Sequence, residues 1–303
     1  MHRITLWILL LVYGFSFGQN QPDQDKTTNA AEAGKRDPES SSPIRPGRLI
    51  DEIRALRSGV AVWWTGHNGW LIKSGDCLMG IDLCLEQSDR LVPSPVSAVE
   101  LAEELDIAFI THEHGDHFEP ETARILADQS DCLFVLPKNC LSLAREFGIP
   151  DHRIRVAVPR APFTLRDVEI LPLRAIHGNP RFAIFADANL EDCGYLIRTQ
   201  GISLLQPGDT VLLEDHLFLG HVDVLFVSPT EHNMHIDRSV ILINALEPDY
   251  IFPQHRETFR VTPENRYWTT AYTYEVRNLL SKPLQQRYHI LEMGEQMEIK
   301  TAE

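Results

Sequence analysis

From about Leu49 onward, short apolar runs alternate along the chain with stretches whose apolar residues recur at helical spacing. Residues 60–64, 69–73 and 78–83 are apolar or alternating. The turns Gly66-His67-Asn68-Gly69 and Ser74-Gly75-Asp76 separate them, which predicts an antiparallel meander. Residues 98–105 then read as a helix and 106–111 as a buried strand. A helix is predicted over 120–128, with Pro120 in its first turn and Glu119 and Glu121 beside its N-terminus. A strand at 133–136 and a helix at 141–147, ended by Gly148, complete this half. The second half predicts strands at 153–158, 163–165, 168–175, 194–199, 202–205, 222–227, 250–252 and 289–291, with helices at 237–246 and 274–280. Two strand-rich halves with helices between them predict an α/β fold of four layers, two sheets face to face with helices outside.

The N-terminal pattern is different. Met1-His2-Arg3 is basic, residues 4–17 are apolar, and Ser16-Phe17-Gly18 offers small residues for cleavage. Residues 1–18 therefore read as a secretory signal peptide, too short for a transmembrane helix, and the protein is expected to be periplasmic or secreted. Residues 19–47 are polar and rich in Pro, Ser and Asn, which predicts a disordered linker ahead of a folded domain at 48–303. No later segment is apolar enough to span a bilayer.

Composition narrows the partners. The 303 residues are 43% hydrophobic and 23% charged, as expected of a globular domain. The net charge of −15, without any Lys/Arg-rich run, opposes nucleic-acid binding and leaves a small molecule as the expected substrate. Cys77, Cys84, Cys132, Cys140 and Cys193 are odd in number and lack CxxC spacing. Buried free thiols are the default reading, with one bridge open in an oxidising compartment. Nothing in the pattern fixes an oligomeric state.

The candidate chemistry sits where predicted strands end. Residues 111–118 read Thr-His-Glu-His-Gly-Asp-His-Phe, so His112, His114, Asp116 and His117 follow directly on an apolar run. Imidazole and carboxylate together suit zinc, iron or manganese. His177, Asp209 (in Pro207-Gly208-Asp209-Thr210) and His255 each follow another predicted strand.

Taken together, His112-Glu113-His114-Gly115-Asp116-His117, His177, Asp209 and His255 resemble the ligand pattern of the metallo-β-lactamase-fold hydrolases. Thr65-Gly66-His67, Ile81-Asp82, Ser88-Asp89-Arg90-Leu91 with Pro93 and Pro95, Gly208-Asp209-Thr210 and Asn233-Met234 are similar to the L-ascorbate-6-phosphate lactonase-like branch. This resemblance covers about residues 58–260. It implies a four-layer αββα sandwich and two divalent metal ions, zinc first, with manganese or iron as alternatives. By the same resemblance His112, His114 and His177 hold one ion, Asp116, His117 and His255 hold the other, and Asp209 bridges them. Two such ions lower the pKa of a bridging water, so that hydroxide can attack a lactone, ester or phosphodiester near neutral pH. Asp116 would act both as ligand and as the catalytic carboxylate that orients this hydroxide.

Departures refine the branch. Flavo-diiron reductases carry Glu where His114 stands, and the family's true β-lactamases lack the bridging Asp. A phospholipase D-like phosphodiesterase, a mononuclear iron dioxygenase and a non-catalytic metal-binding module stay open as alternatives. Export would withdraw a cytoplasmic sugar phosphate as substrate. His67, His232 and Asn233 are candidate substrate contacts, with a structural hydrogen-bonding role for His67 as the competing reading. Trp63, Trp64 and Trp70 read as core, Arg256 as surface pairing, and His152, His216, His221 and His289 have no ligand context.

Overall fold

The structure, a computed structural model, describes residues 47–178 and 189–300. The expected signal peptide, and the expected linker up to residue 46, lie outside the described residues.

The first sheet contains β1 (Val60–Gly66), β2 (Gly69–Ser74), β3 (Cys77–Ile81), β4 (Ile107–Phe109), β5 (Leu133–Pro137) and β6 (Ile154–Ala157). Strands β1 to β3 pair antiparallel, as the meander predicted, and β3 to β6 pair parallel. The second sheet contains β7 (Phe163–Leu165), β8 (Val168–Arg174), β9 (Cys193–Thr199), β10 (Ile202–Gln206), β11 (Val224–Val227) and β12 (Tyr250–Pro253). Here β7 to β10 are antiparallel and β10 to β12 parallel. A last strand, β13 (Gln296–Ile299), returns to the first sheet and pairs antiparallel with β1.

Side-chain alternation explains the layers. Val60, Val62 and Trp64 of β1 pack between the sheets with Tyr195, Ile197, Val224, Phe226 and Phe252 of the second sheet. Ala61 and Trp63, one residue out of phase, face the other way. They are covered by α1 (Arg48–Ala55), α2 (Ala98–Leu101), α3 (Pro120–Gln129) and α4 (Leu141–Glu146). Both faces of each central strand are therefore apolar, which is why these strands read as near-continuous hydrophobic runs. On the second sheet, Leu205, Leu225, Val227 and Ile251 pack under α6 (His235–Leu246), α8 (Thr273–Leu279) and α9 (Lys282–Gln286). The short helices α5 (Glu214–Leu217) and α7 (Arg266–Thr269) lie in connecting segments. The result is the four-layer αββα sandwich that the sequence predicted.

Helix α3 starts as its sequence requires. Pro120 occupies the first turn, and the Glu119 carboxylate accepts from the backbone N–H of Glu121 and Thr122. One element is corrected. Residues 289–291 form no strand, because the chain meets β12 through the single bridge Ile251↔Tyr288 and then leaves it. The apolar character there serves burial, with Leu291 packed between the sheets. No described helix is long and apolar enough to cross a membrane.

Candidate metal centre

Every strand-end residue singled out in the sequence arrives at the same edge of the sandwich. The turn between β4 and α3 carries His112, His114, Asp116 and His117, while His177 follows β8, Asp209 follows β10 and His255 follows β12. Ligand atoms lie within 4.8 Å of one another in the groups His112/His114/His177, His112/His117/Asp209 and His67/Asp116/His117/His255. His112 Nε2 and His114 Nδ1 are 3.0 Å apart. Asp209 lies at the middle: its Oδ1 is 3.0 Å from His255 Nε2, and its Oδ2 is 3.5 Å from His117 Nε2 and 3.6 Å from His177 Nε2.

The outer nitrogens show which way the lone pairs face. His177 Nδ1 lies 2.8 Å from the Gly178 carbonyl and His255 Nδ1 lies 2.6 Å from the Trp268 carbonyl. A carbonyl only accepts, so in both rings Nδ1 carries the hydrogen and Nε2 presents its lone pair inward. His117 Nδ1 is held by Asp82 Oδ2 at 2.9 Å. Thr111 Oγ1 donates to the same carboxylate at 2.7 Å, so it can accept from His112 Nδ1 at 3.0 Å. Four imidazoles thus have their outer nitrogen fixed and their inner nitrogen turned toward the centre, the arrangement that orients metal-ligating histidines.

Electrostatics favour a cation among these groups. Burial holds His177 and His255 neutral, with pKa values lowered to about 4, and lowers His112 as well. Burial works against the charges of Asp116 and Asp209, yet the surrounding imidazoles outweigh it and keep both carboxyls well below their usual range. For His117 burial again opposes charge, and Asp209, Asp82 and Asp116 overcome it. Among the described residues, the ionic contacts of Asp209 are all to imidazoles rather than to Lys or Arg. A donor set of inward imidazole nitrogens and ionised carboxylates fits a divalent metal.

Residues 61–255 match the β-lactamase superfamily domain. The chain belongs to this superfamily. It is 29% identical over 201 residues to a probable L-ascorbate-6-phosphate lactonase, UlaG, of Escherichia coli, covering 53% of this chain and 56% of that protein. The chain thus spans about half the length of the curated relatives it matches. Among solved structures it is similar to Igni18, a metallo hydrolase from the archaeon Ignicoccus hospitalis, with a TM-score of 0.63 and 18% identity over 80% of this chain and 99% of that one. It is also similar to an isothiocyanate hydrolase from Delia radicum gut bacteria, with a TM-score of 0.61 and 17% identity over 78% of this chain and 98% of that one. At these identities the structures share the fold with this superfamily member.

Around these converging residues, the structure places several further side chains. His67, in the β1–β2 turn, is buried with Nε2 2.9 Å from Asp116 Oδ2. His232 bridges the Tyr267 carbonyl at 3.0 Å and Asp209 Oδ2 at 2.7 Å. Asn233 is buried beside it with neither amide atom hydrogen-bonded within the protein. Asp82, quoted in the sequence only as part of the Ile81-Asp82 resemblance, and Asn68, read only as a turn residue, make contacts that the sequence reading did not assign. Asp82 had one available signal, a lone carboxylate directly after the fully apolar end of β3. His67, Asp82 and His255 adopt left-handed backbone with φ of 50°, 45° and 62°, a conformation that is costly outside glycine and gathers at functional sites. Gly178 answers a close approach, since a Cβ there would run into the His232 carbonyl.

Other residues settle away from this centre. Trp63, Trp64 and Trp70 are core, as expected. Arg256 is not a surface residue: it is buried, its guanidinium carbon 3.9 Å from the centre of the Trp64 ring, because the chain folds back over β1 after β12. His221 meets Asp223 and Asp249 in a separate exposed group, where Ser203 and Arg287 also engage the two carboxylates.

Proposed function

We propose that this chain is a metal-dependent hydrolase whose centre holds two divalent ions, zinc first, with manganese or iron as alternatives. His112, His114 and His177 would hold one ion, Asp116, His117 and His255 the other, with Asp209 as the ligand shared between them. The observation that carries this reading is the set of four imidazoles whose outer nitrogens are pinned and whose inner nitrogens converge on Asp209 and its neighbours. The bound ions would supply an activated water and an electrophilic partner for the substrate oxygen.

The chain's own residues supply the rest. Asp116 is the ligand carboxylate with appreciable solvent exposure, 20% for its side chain, so it reaches toward an entering substrate. His67 pins its Oδ2, which leaves Oδ1 to orient the attacking water and to carry a proton to the leaving oxygen. Buried walls around His117, Asp209 and His255 exclude bulk water and strengthen every charge–charge contact inside.

The bond cleaved would be ester-like: a lactone, a carboxylic ester or a phosphodiester. The lactonase name of the Escherichia coli relative supports the first. The basic start and apolar run of residues 1–18 support export of the protein, and that would exclude cytoplasmic sugar phosphates as substrates. N-terminal sequencing of protein recovered outside the cytoplasm should show cleavage after Gly18; recovery of the uncleaved chain in the cytoplasm would contradict export.

The activity is tested by measuring bound metal and then turnover on lactone, aryl ester and bis-aryl phosphodiester substrates. Two equivalents of metal with hydrolysis of one class are expected. Full loading without turnover of any class would instead identify a metal-binding module, and one iron with oxygen consumption would identify a dioxygenase.

A further inference from the structure

A chain of buried polar side chains runs from the core between the sheets to the Asp209 carboxylate. It begins at Trp70 on β2, whose indole N–H can only donate and reaches Gln254 Oε1 at 2.9 Å. Gln206 Nε2 donates to that same oxygen at 2.9 Å, filling both of its lone pairs. The Gln254 amide nitrogen must then face the other way, and it donates to Gln206 Oε1 at 2.8 Å and to Ser228 Oγ at 2.9 Å. Having accepted that hydrogen, Ser228 is free to donate its own to Asn68 Oδ1 at 3.4 Å. This turns the Asn68 amide nitrogen toward Asp209 Oδ1 at 3.1 Å.

The direction is set from the head, because a donor-only group fixes the first amide and each link fixes the next. Gln206, Ser228 and Gln254 stand at the ends of the neighbouring parallel strands β10, β11 and β12, and Asn68 sits in the β1–β2 turn opposite them. All four are buried. Apolar residues would fill the same space without having to satisfy so many polar atoms.

We propose that Trp70, Gln254, Ser228 and Asn68 form a one-way hydrogen-bond chain that fixes the orientation of the Asp209 carboxylate, making Asn68 a positioning residue for the metal centre. This rests on the metal-centre reading above. Asn68 donates to Oδ1 at 3.1 Å, while Oδ2 lies 2.7 Å from His232 Nε2 and faces His117 and His177; His255 Nε2 lies 3.0 and 3.1 Å from the two oxygens. Without that donor Oδ1 loses the partner that orders it, and one ion loses a preset ligand oxygen.

The test uses the full-length wild type and the variants Ser228→Ala, Asn68→Ala and Ser228→Thr. Zinc affinity is measured by competition with a chromogenic chelator, and thermal unfolding of the metal-free proteins is followed in parallel. Ser228→Ala and Asn68→Ala should each weaken one zinc site by about 10- to 100-fold, and Ser228→Thr, which keeps the hydroxyl, should bind like wild type. Lower melting temperatures with wild-type zinc affinity in both alanine variants would overturn the positioning role while leaving the metal centre intact. A wild type that binds no zinc, manganese or iron would overturn both.

Discussion

Asp82 Oδ2 lies 2.9 Å from His117 Nδ1, with both side chains fully buried. The carboxylate also accepts from the Thr111 N–H at 2.8 Å and from Thr111 Oγ1 at 2.7 Å, so it cannot swing away from the ring. A carboxylate behind a ligating imidazole fixes its tautomer and raises its basicity. Asp82→Asn should therefore lower metal affinity or turnover by about 10- to 100-fold while the circular dichroism stays that of the wild type. Chelator competition on the purified variant checks this, and unchanged affinity would show that His117 needs no such partner.

Asp116 combines its proposed ligand role with a partly exposed carboxylate, and His67 touches only one of its oxygens. Asp116→Asn should reduce kcat by about a hundredfold or more, the usual contribution of a positioned proton-transfer group. His67→Gln retains a donor at that position and should cost less. Steady-state kinetics on whichever substrate class turns over would compare the two; equal losses would mean that His67 does more than hold Asp116.

Away from the centre, His216 sets an acid-side stability limit. Burial, outweighing the neighbouring Asp215 carboxylate, lowers its pKa from 6.5 to about 4, and its Nε2 has no hydrogen-bond partner. The unfolded chain takes up a proton near pH 6.5 while the folded chain resists it until about pH 4. Stability is therefore undiminished above pH 6.5 and declines as the pH falls toward 4, by on the order of 3 kcal/mol from this group. Denaturant unfolding at pH 7 and pH 4.5 should show a smaller difference for His216→Phe than for wild type; identical differences would contradict the assignment.

The five cysteines are all free, and Cys77 is the one that is not fully buried. Burial pushes the Cys77 thiol up to about 11, so little thiolate exists even there at neutral pH. A thiol reagent should label the native protein slowly and all five positions after unfolding in denaturant without reductant. Fewer than five labelled thiols would reveal a disulfide.

Much of this centre was legible because the chemistry and the folding signal coincide. His112, His114, Asp116, His117, Asp209 and His255 follow largely buried strands, and His177 follows the apolar end of β8, so an apolar run points to each of them. Asp82 carries that mark only as a lone carboxylate after β3, and Asn68 carries none, since one Asn in a turn is ordinary turn chemistry. Only the parallel pairing of β3 with β4 brings Asp82 behind His117, and only the packing of the two sheets brings Asn68 to Asp209. Arg256 misled for a related reason: charge predicts exposure, but stacking on Trp64 gives the guanidinium a buried place. The strand β13 is four residues long with two apolar positions, too weak a pattern to register without its partner β1.

The most direct test of the two-ion centre is anomalous diffraction at the zinc edge from crystals of the wild-type protein grown with zinc. Two peaks are expected, one within bonding distance of His112, His114 and His177 and one within bonding distance of Asp116, His117 and His255, both in contact with Asp209. An empty centre, a single peak there, or zinc only at His221, Asp223 and Asp249 would contradict it.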